Sequence, residues 1–409
     1  MYLRCSTQTG TFFEHSYNGH LAGENSTRNS TATFYLPNMT DSSKRLRIGI
    51  IGAGEASPIK NAEHCASKYH VSKATTDPEE IFNSSNVDVV FISVSDEFHE
   101  PYAISALEAQ KNVFIEKPIT LSMQSAQRII DAEKKSKGRV WVGYMRRHSR
   151  SFTDAFKREL ESIPKILYAR SRDFSGRKSK SIYPQRLYLS GSSYADRSLA
   201  NGKFTSQSGT FPVKNTDFPP SAGEERNKRV DALLHEAFGS EPTPEQVKYA
   251  RFLGSLGSHD LSLMRESLGF PEDVTAVTVN EPFYSAIFKC RNKSGDPFFV
   301  TYESGIDGVP EFDAHLAVYG ENKRVTIFYD SPYIKTQKPV MVRVQEVNDA
   351  GEVQTREIIS SFEDAFATEF QDMYDCLVND KEIKTSAEDA INELKLYDLM
   401  YAKYAESSK

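Results

Sequence analysis

The sequence predicts an α/β protein of two domains, a doubly wound parallel sheet followed by an α+β domain with an open, mainly antiparallel sheet. Short apolar runs alternate with helical patterns in the first half of the chain, whereas β-rich runs follow one another in the second half. The length of 409 residues and the hydrophobic content of 39% provide apolar side chains for more than one core.

Four short runs of apolar and β-branched residues form the predicted strands of the parallel sheet. Pro101 lies in the first turn of a helix predicted between the second and third runs. Ser122 is placed to cap the helix that follows the third run. The four runs are Arg47–Ile51, Val87–Ser93, Asn112–Glu116 and Arg139–Gly143.

The second half contains three clear β-rich runs and two closing helices. The runs are Phe298–Tyr302, His315–Tyr319 and Arg324–Tyr329, and the last two flank Gly-Glu-Asn-Lys as a predicted hairpin. One closing helix is predicted over Glu363–Leu377. The other is predicted to begin at Thr385, where Thr-Ser-Ala-Glu forms a capping-box pattern.

These patterns divide the chain into three parts. Residues 1–45 show no periodicity and are predicted to be a disordered extension. Residues 46–165 form the predicted parallel-sheet domain, and residues 166–409 form the predicted α+β domain. Residues 177–204 are rich in Ser, Tyr, Arg and Gly, and we interpret them as an irregular insertion.

Composition excludes several classes of partner. A net charge of −6 gives no electrostatic reason to expect nucleic acid or an anionic membrane as a partner. The four cysteines form no CxxC pair, so we expect free thiols in a reducing compartment and no metal site. The chain contains no apolar run of transmembrane length and no signal-peptide pattern, so we expect a cytoplasmic protein.

The glycine-rich loop after the first run is the first candidate for chemistry. Gly52 permits a tight turn, Gly54 lets the backbone approach a pyrophosphate, and Ser57 allows close helix–strand packing. A helix that starts there would present free N–H groups to phosphates. A turn without a ligand is the alternative, and the strand-to-helix context favours dinucleotide binding. The residues expected to bind the dinucleotide are Gly52, Ala53, Gly54, Glu55 and Ala56.

The acid that should bind the adenosine ribose is not evident. A count of about 20 positions leads to Asp77, at the expected end of a second strand. The residues around Asp77 instead indicate a helix start, with Asp77 as the cap and Pro78 at the first position. The interval between Gly54 and Val87 holds no second strand run. We therefore predict that this strand and its acid are missing.

Two further residues could carry chemistry. Lys117 follows the third run, and the carboxyl end of a parallel strand borders the crevice in which ligands bind. Its ammonium could hydrogen-bond a substrate hydroxyl and stabilise a developing alkoxide, although a surface lysine before a proline turn is the alternative. His259 lies in a stretch of small residues and could accept a proton. A structural histidine is the alternative there.

Together these segments resemble the glucose–fructose oxidoreductase, inositol dehydrogenase and rhizopine-catabolism (Gfo/Idh/MocA) family over about residues 46–170 and 205–400. The most specific match is Glu-Lys-Pro at 116–118. The segment 95–101 keeps the family's histidine as His99 but lacks its Thr-Pro, and Gly-Tyr-Met-Arg-Arg at 143–147 matches the start of the crossover between domains. Gly257-x-His259 matches half of Asp-x-Gly-x-His, with Ser255 in place of the aspartate.

The resemblance implies a Rossmann-type first domain and an NAD(P)-dependent oxidoreductase acting on CH–OH groups of a polyol, sugar or related hydroxy compound. It implies that NAD or NADP is the cofactor and that copies of the chain associate through the C-terminal sheet. It assigns proton transfer and substrate contact to Lys117 and His259. It also places His99, Glu116 and Lys117 at the cofactor site.

The alternative is a non-catalytic dinucleotide- or sugar-sensing regulator, like the galactose-regulon repressors of yeasts, or an inactive paralogue. The intact Lys117 and His259 favour the enzyme, whereas Ser255 and the missing strand favour the alternative. The missing strand, the insertion and the N-terminal extension together indicate a mis-spliced gene model or a degenerate paralogue.

Overall fold

The computed structural model describes residues 45–52, 58–176, 220–307, 309, 311–330 and 338–407. The predictions for the N-terminal extension up to residue 44 and for the insertion at 177–204 lie outside these ranges. The remaining elements can be compared with the sequence one by one.

The first domain contains a parallel sheet of four strands in the order β1-β2-β3-β4. Each strand lies within one of the four predicted apolar runs, which confirms all four predictions. Strands β2 and β4 are buried along their whole length, as a sheet covered on both faces requires. The strands are β1 Ile48–Ile51, β2 Val89–Ile92, β3 Asn112–Glu116 and β4 Val140–Gly143.

Four helices connect or flank these strands. The Ser122 hydroxyl accepts a hydrogen bond from the Ser125 backbone N–H at 3.1 Å, so the predicted cap of α4 is confirmed. Helix α3 begins at His99, two residues before Pro101, which leaves the proline in the first turn where no hydrogen bond is lost. The helices are α1 Pro58–Lys68, α2 Glu79–Phe82, α3 His99–Glu108 and α4 Met123–Glu133.

The second strand of a complete Rossmann sheet is missing from the described part of this domain. Between residues 58 and 88 the structure has α1 and α2 but no strand, only a single bridge residue at Lys73. Strand β1 therefore forms an edge of the sheet. The Asp77 carboxylate accepts a hydrogen bond from the Glu79 N–H at 3.0 Å, but the N-cap of α2 is Pro78, one residue later than predicted.

The second domain contains an eight-stranded sheet in the order β12-β11-β10-β9-β5-β8-β7-β6. Only β5 and β8 pair in parallel, so the prediction of an open, mainly antiparallel sheet is confirmed. The predicted hairpin is formed by β9 and β10. The strands are β5 Tyr168–Gly176, β6 Asp273–Asn280, β7 Phe283–Arg291, β8 Pro297–Asp307, β9 Phe312–Tyr319, β10 Lys323–Tyr329, β11 Met341–Val347 and β12 Val353–Ile358.

The helices of the second domain pack on one face of this sheet and against the first domain. The predicted capping box at Thr385 is wrong by one residue, because the Ser386 hydroxyl accepts the hydrogen bond from the Asp389 N–H at 3.2 Å. The helices are α5 Lys157–Glu161, α6 Pro220–Phe238, α7 Pro244–Phe252, α8 Ser258–Leu268, α9 Ala365–Val378 and α10 Ala387–Ser407. Two π-helical turns, Ser151–Phe156 and Leu253–Gly257, precede α5 and α8.

The two sheets share one hydrophobic core. Buried residues on one face of the parallel sheet, such as Ile115, belong to the same cluster as Val300 of the antiparallel sheet. The other face of the parallel sheet packs against α9, where Phe114 and Trp141 meet Met373. The end of β3 is therefore held in place relative to the second domain.

Candidate functional site

Lys117 lies at the end of β3, where the two domains meet. Its ammonium donates a hydrogen bond to the backbone carbonyl of Ser255 in the π-helical turn before α8. Burial lowers the pKa of Lys117 to about 8, with Glu116 and Asp96 opposing the change and the Arg146 charge reinforcing it. The alternative of an exposed surface lysine is therefore wrong.

His259 lies in the first turn of α8 and faces the same region. Its Nδ1 atom is buried and has no hydrogen-bond partner among the described residues. Burial lowers the pKa of His259 well below its usual value, and the charges of Lys117 and Arg146 lower it further. The ring is therefore neutral near pH 7 and can accept a proton. The Lys117 ammonium is bonded to Ser255, four residues before His259 in the chain.

Small residues allow the π-helical turn to approach β3 closely. A Cβ atom on Gly254 would lie 3.2 Å from Cγ of Pro118, and one on Gly257 would lie 2.8 Å from the Tyr302 hydroxyl. The Ser255 hydroxyl donates to the Phe252 carbonyl at 3.3 Å. The Lys117 ammonium is therefore bonded to the backbone carbonyl of Ser255, the residue that replaces the aspartate of the family motif.

Three buried charged residues beside this pair were not identified as site residues from the sequence. Arg146 donates one hydrogen bond to Asp260 and another, of 2.9 Å, to Asp173. The sequence did contain a signal for Asp173, because it lies between Ser171 and Ser175 at the inward positions of β5. Polar residues on the buried face of a strand need partners, and such positions often belong to a site.

His99 has a structural role in this structure. The side chain is 1% exposed, Nδ1 lies 2.8 Å from the Pro118 carbonyl and Nε2 lies 3.1 Å from the Val94 carbonyl. Both ring nitrogens thus contact the backbone that follows β2 and β3. Cofactor binding by His99 stays a prediction, and in this structure both of its ring nitrogens face backbone carbonyls.

The loop that contains His99 is tied to the second domain by ion pairs. Asp96 pairs with Arg251 at 2.5 Å, and Glu97 pairs with Arg226 at 2.6 Å. The family has Thr-Pro-Asn in this segment, so the sequence departure corresponds to a charged contact between the domains. The neighbouring Glu116 is half-buried, and burial raises the pKa of its carboxyl group.

Among the described residues, Gly52 and Asp77 bear on the predicted dinucleotide site. Gly52 has φ +124°, and a Cβ atom there would lie 2.2 Å from the Ser93 carbonyl oxygen, so only glycine fits this turn. The close approach is to the backbone that follows β2, and the binding of a pyrophosphate at this turn stays a prediction. The Asp77 carboxylate is bonded to the Glu79 N–H at the start of α2, and no strand lies between α1 and Asp77 in the described residues. The other four predicted loop residues, Ala53, Gly54, Glu55 and Ala56, lie outside the described ranges.

Two kinds of feature are absent from the described residues. They contain no group of three or more His, Cys, Asp or Glu side chains arranged to hold a metal ion. They also contain no helix with the length and apolar character needed to cross a membrane. The cytoplasmic compartment stays a prediction.

Curated relatives match parts of the chain. Inositol 2-dehydrogenase of Salmonella typhimurium is 38% identical over 93 residues, which are 22% of this chain and 28% of that protein. Myo-inositol 2-dehydrogenase of Thermotoga maritima is 30% identical over 153 residues, 31% of this chain and 46% of that protein. The chain thus spans less than half the length of each of these relatives.

Solved structures and family models match the architecture more widely. Levoglucosan dehydrogenase in complex with NADH and levoglucosan has a TM-score of 0.60 at 15% identity, with 88% of both chains covered, a likeness in fold alone. Residues 31–144 match the model of an oxidoreductase family with an NAD-binding Rossmann fold, in agreement with the expected nicotinamide cofactor. Residues 248–409 match the C-terminal alpha/beta domain of the same family. Because these two matches together span more than half of the chain, it belongs to the Gfo/Idh/MocA oxidoreductase family.

Proposed function

We propose that this chain transfers hydride between NAD or NADP and the carbinol carbon of a polyol, a sugar or a related hydroxy compound. The observation that carries the proposal is the hydrogen bond from Lys117, at the end of β3, to the backbone carbonyl of Ser255, four residues before His259 in the turn that leads into α8. The inositol dehydrogenases among the relatives support a polyol or sugar as the substrate class.

The two side chains have complementary roles in this reaction. The Lys117 ammonium exchanges the Ser255 carbonyl for the substrate hydroxyl and stabilises the negative charge that develops on the oxygen. The neutral imidazole of His259 accepts the hydroxyl proton. A nicotinamide dinucleotide would supply the hydride acceptor, with the turn at Gly52 beside its pyrophosphate and Glu116 beside the crevice.

The test is the change in NADH and NADPH absorbance with a panel of polyols and sugars, for the wild type and for Lys117→Met. General acid–base groups contribute about 10²–10⁴-fold in rate, so Lys117→Met should lose at least about 100-fold. Lys117→Arg should also fail, because a planar guanidinium does not place its charge where a compact ammonium does.

A matched control is available in the same domain. The Lys111 ammonium donates to the backbone carbonyls of Ser84 and Val87 at 2.8 and 2.9 Å, so Lys111→Met also removes a half-buried lysine. Lys111→Met should keep its turnover. Normal turnover of Lys117→Met would refute the mechanism, and dinucleotide binding without turnover of any substrate would favour a sensing protein instead.

We also propose that two copies of the chain associate through the outer face of the antiparallel sheet. The helices cover the inner face, whereas Ile287 and Phe299 on the outer face are 39% and 45% exposed. Exposed apolar side chains on a broad sheet face are typical of a protein interface. The double variant Ile287→Glu/Phe299→Glu should be monomeric by light scattering, and a wild type that is itself monomeric at high concentration would overturn this proposal.

A further inference from the structure

We propose that Arg146, held between Asp173 and Asp260, is a positioning residue for His259, which directly precedes Asp260 in the first turn of α8. This inference rests on the proposed function for the roles of Lys117 and His259. Arg146 itself is buried and is directed at the two carboxylates, so the structure gives it no direct part in proton transfer.

Arg146 joins three parts of the molecule. It lies in the 3-10 turn Met145–His148 that leaves the parallel sheet, and its side chain is only 6% exposed. One end of its guanidinium donates to Asp260 of α8, and the other donates to Asp173 of β5 at 2.9 Å. The guanidinium also lies 5.2 Å from the centre of the Tyr329 ring. A planar guanidinium that is hydrogen-bonded to two carboxylates has little freedom to move.

The contact with Asp260 fixes the first turn of α8. Asp260 directly follows His259 in the chain, so the direction of one side chain constrains that of the other. The His259 Nδ1 atom has no partner of its own among the described residues. The position of the His259 ring therefore depends on the position of α8. Arg146, which follows the last strand of the parallel sheet, fixes α8 through its hydrogen bond to Asp260.

Arg146 also acts on the catalytic pair through its charge. The Lys117 ammonium faces Glu116, Asp96 and Asp173 as well as Arg146, and His259 faces Lys117 and Arg146. The Arg146 charge opposes protonation of both groups. Burial and the neighbouring Asp173 raise the pKa of Asp260, which limits the negative charge that offsets Arg146. Removing the Arg146 charge should therefore raise the pKa values of both His259 and Lys117.

Arg147 offers a matched control one residue away. It is also buried and also pairs with two carboxylates, Glu266 and Asp389. It is not among the charges that shift the pKa of His259. Arg147→Gln should therefore cost stability as Arg146→Gln does, without the effect on His259.

The experiment is an NMR titration of the His259 imidazole nitrogens in the substrate-free protein, with the signal assigned by its loss in His259→Gln. Arg146→Gln should raise the pKa of His259, whereas Arg147→Gln should leave it unchanged. Thermal unfolding verifies that each variant is folded. This measurement needs no turnover, so its failure is distinguishable from a failure of the proposed function.

A second variant keeps the test decisive if Arg146→Gln does not fold. Arg146→Lys keeps the charge but can reach only one carboxylate well. It should leave the His259 pKa unchanged and lower kcat/KM by up to about 100-fold, the cost of a misplacement of about 1 Å. The proposal is overturned if folded Arg146→Gln titrates like the wild type, or if Arg146→Lys turns over at the wild-type rate.

Discussion

The protonation states of Lys117 and His259 follow from burial and from one shared neighbour, the Arg146 cation. Each of these groups is positively charged when protonated, so burial and nearby positive charge lower both pKa values. The pKa of His259 falls well below its usual value, while that of Lys117 falls only to about 8. Between these two values Lys117 carries its proton and His259 does not, which is the combination that alcohol oxidation requires.

We therefore expect kcat/KM for oxidation to be constant around neutral pH and to fall as the pH rises through about 8. The sign follows from Lys117, whose charged form is lost above its pKa. The loss of activity on the acid side, due to His259, should begin below the usual range for histidine. Initial rates across a pH series measure this. A decline centred near pH 6.5, the value of an ordinary histidine, would contradict the assignment.

Motif matching predicted Lys117 and His259 from the sequence, but not the residues that control them. Lys117 stands out because Glu-Lys-Pro ends a recognisable strand, and His259 because small residues surround it. Arg146, Asp173 and Asp260 come from three segments far apart in the chain, and only the fold brings them together. Pattern within one segment cannot indicate such long-range pairs.

At the scale of elements, apolar runs predicted the four strands of the parallel sheet to within two residues, but only three of the eight strands of the antiparallel sheet. Strands buried on both faces have to be continuously apolar, so their bounds are visible in the sequence. The parallel pairing of β5 with β8 was not predictable in this way, since it joins segments more than 120 positions apart. The cap of α10 was misplaced because Thr385 and Ser386 are both good cap residues.

We expect opposite effects on stability from removing the two neighbouring hydroxyls before α10. Ser386→Ala should lower the free energy of unfolding by about 0.5–2 kcal/mol, because the Asp389 N–H loses its cap. Thr385 is fully buried and its hydroxyl has no partner among the described residues. Thr385→Val should therefore be neutral or stabilising, since an unsatisfied buried hydroxyl costs about 1–3 kcal/mol. Urea unfolding of both variants decides this, and a larger loss for Thr385→Val would contradict it.

At the scale of the whole molecule, the shared core holds the parallel sheet of the described residues, which lacks the second strand of a complete Rossmann sheet. The parallel sheet is covered on one side by the core that it shares with the second domain and on the other by α9. Among the described strands β1 is an edge of the sheet, and we expect the functional cost at the adenosine end of the dinucleotide site.

The last prediction concerns that functional cost. Without a ribose acid in the described residues, a bound dinucleotide keeps its pyrophosphate contacts at the turn around Gly52 but loses a charged hydrogen-bond partner. Such bonds contribute about 1.5–3 kcal/mol, which corresponds to about ten- to a hundredfold in affinity. The same acid distinguishes the ribose 2′-hydroxyl of NAD from the phosphate of NADP. We therefore expect weak binding with little preference between the two cofactors.

Calorimetric titration of the substrate-free chain with NAD and NADP, in the same buffer, measures both parts of this expectation. Gly52→Val is the control, because a side chain there would collide with the Ser93 carbonyl and disturb the turn that admits the pyrophosphate. It should remove the remaining affinity. Sub-micromolar binding with a strong preference for one cofactor would contradict the prediction and show that another residue binds the adenosine ribose. Equal and weak binding of both, lost in Gly52→Val, would place the dinucleotide at the end of β1 with its adenosine end unrecognised.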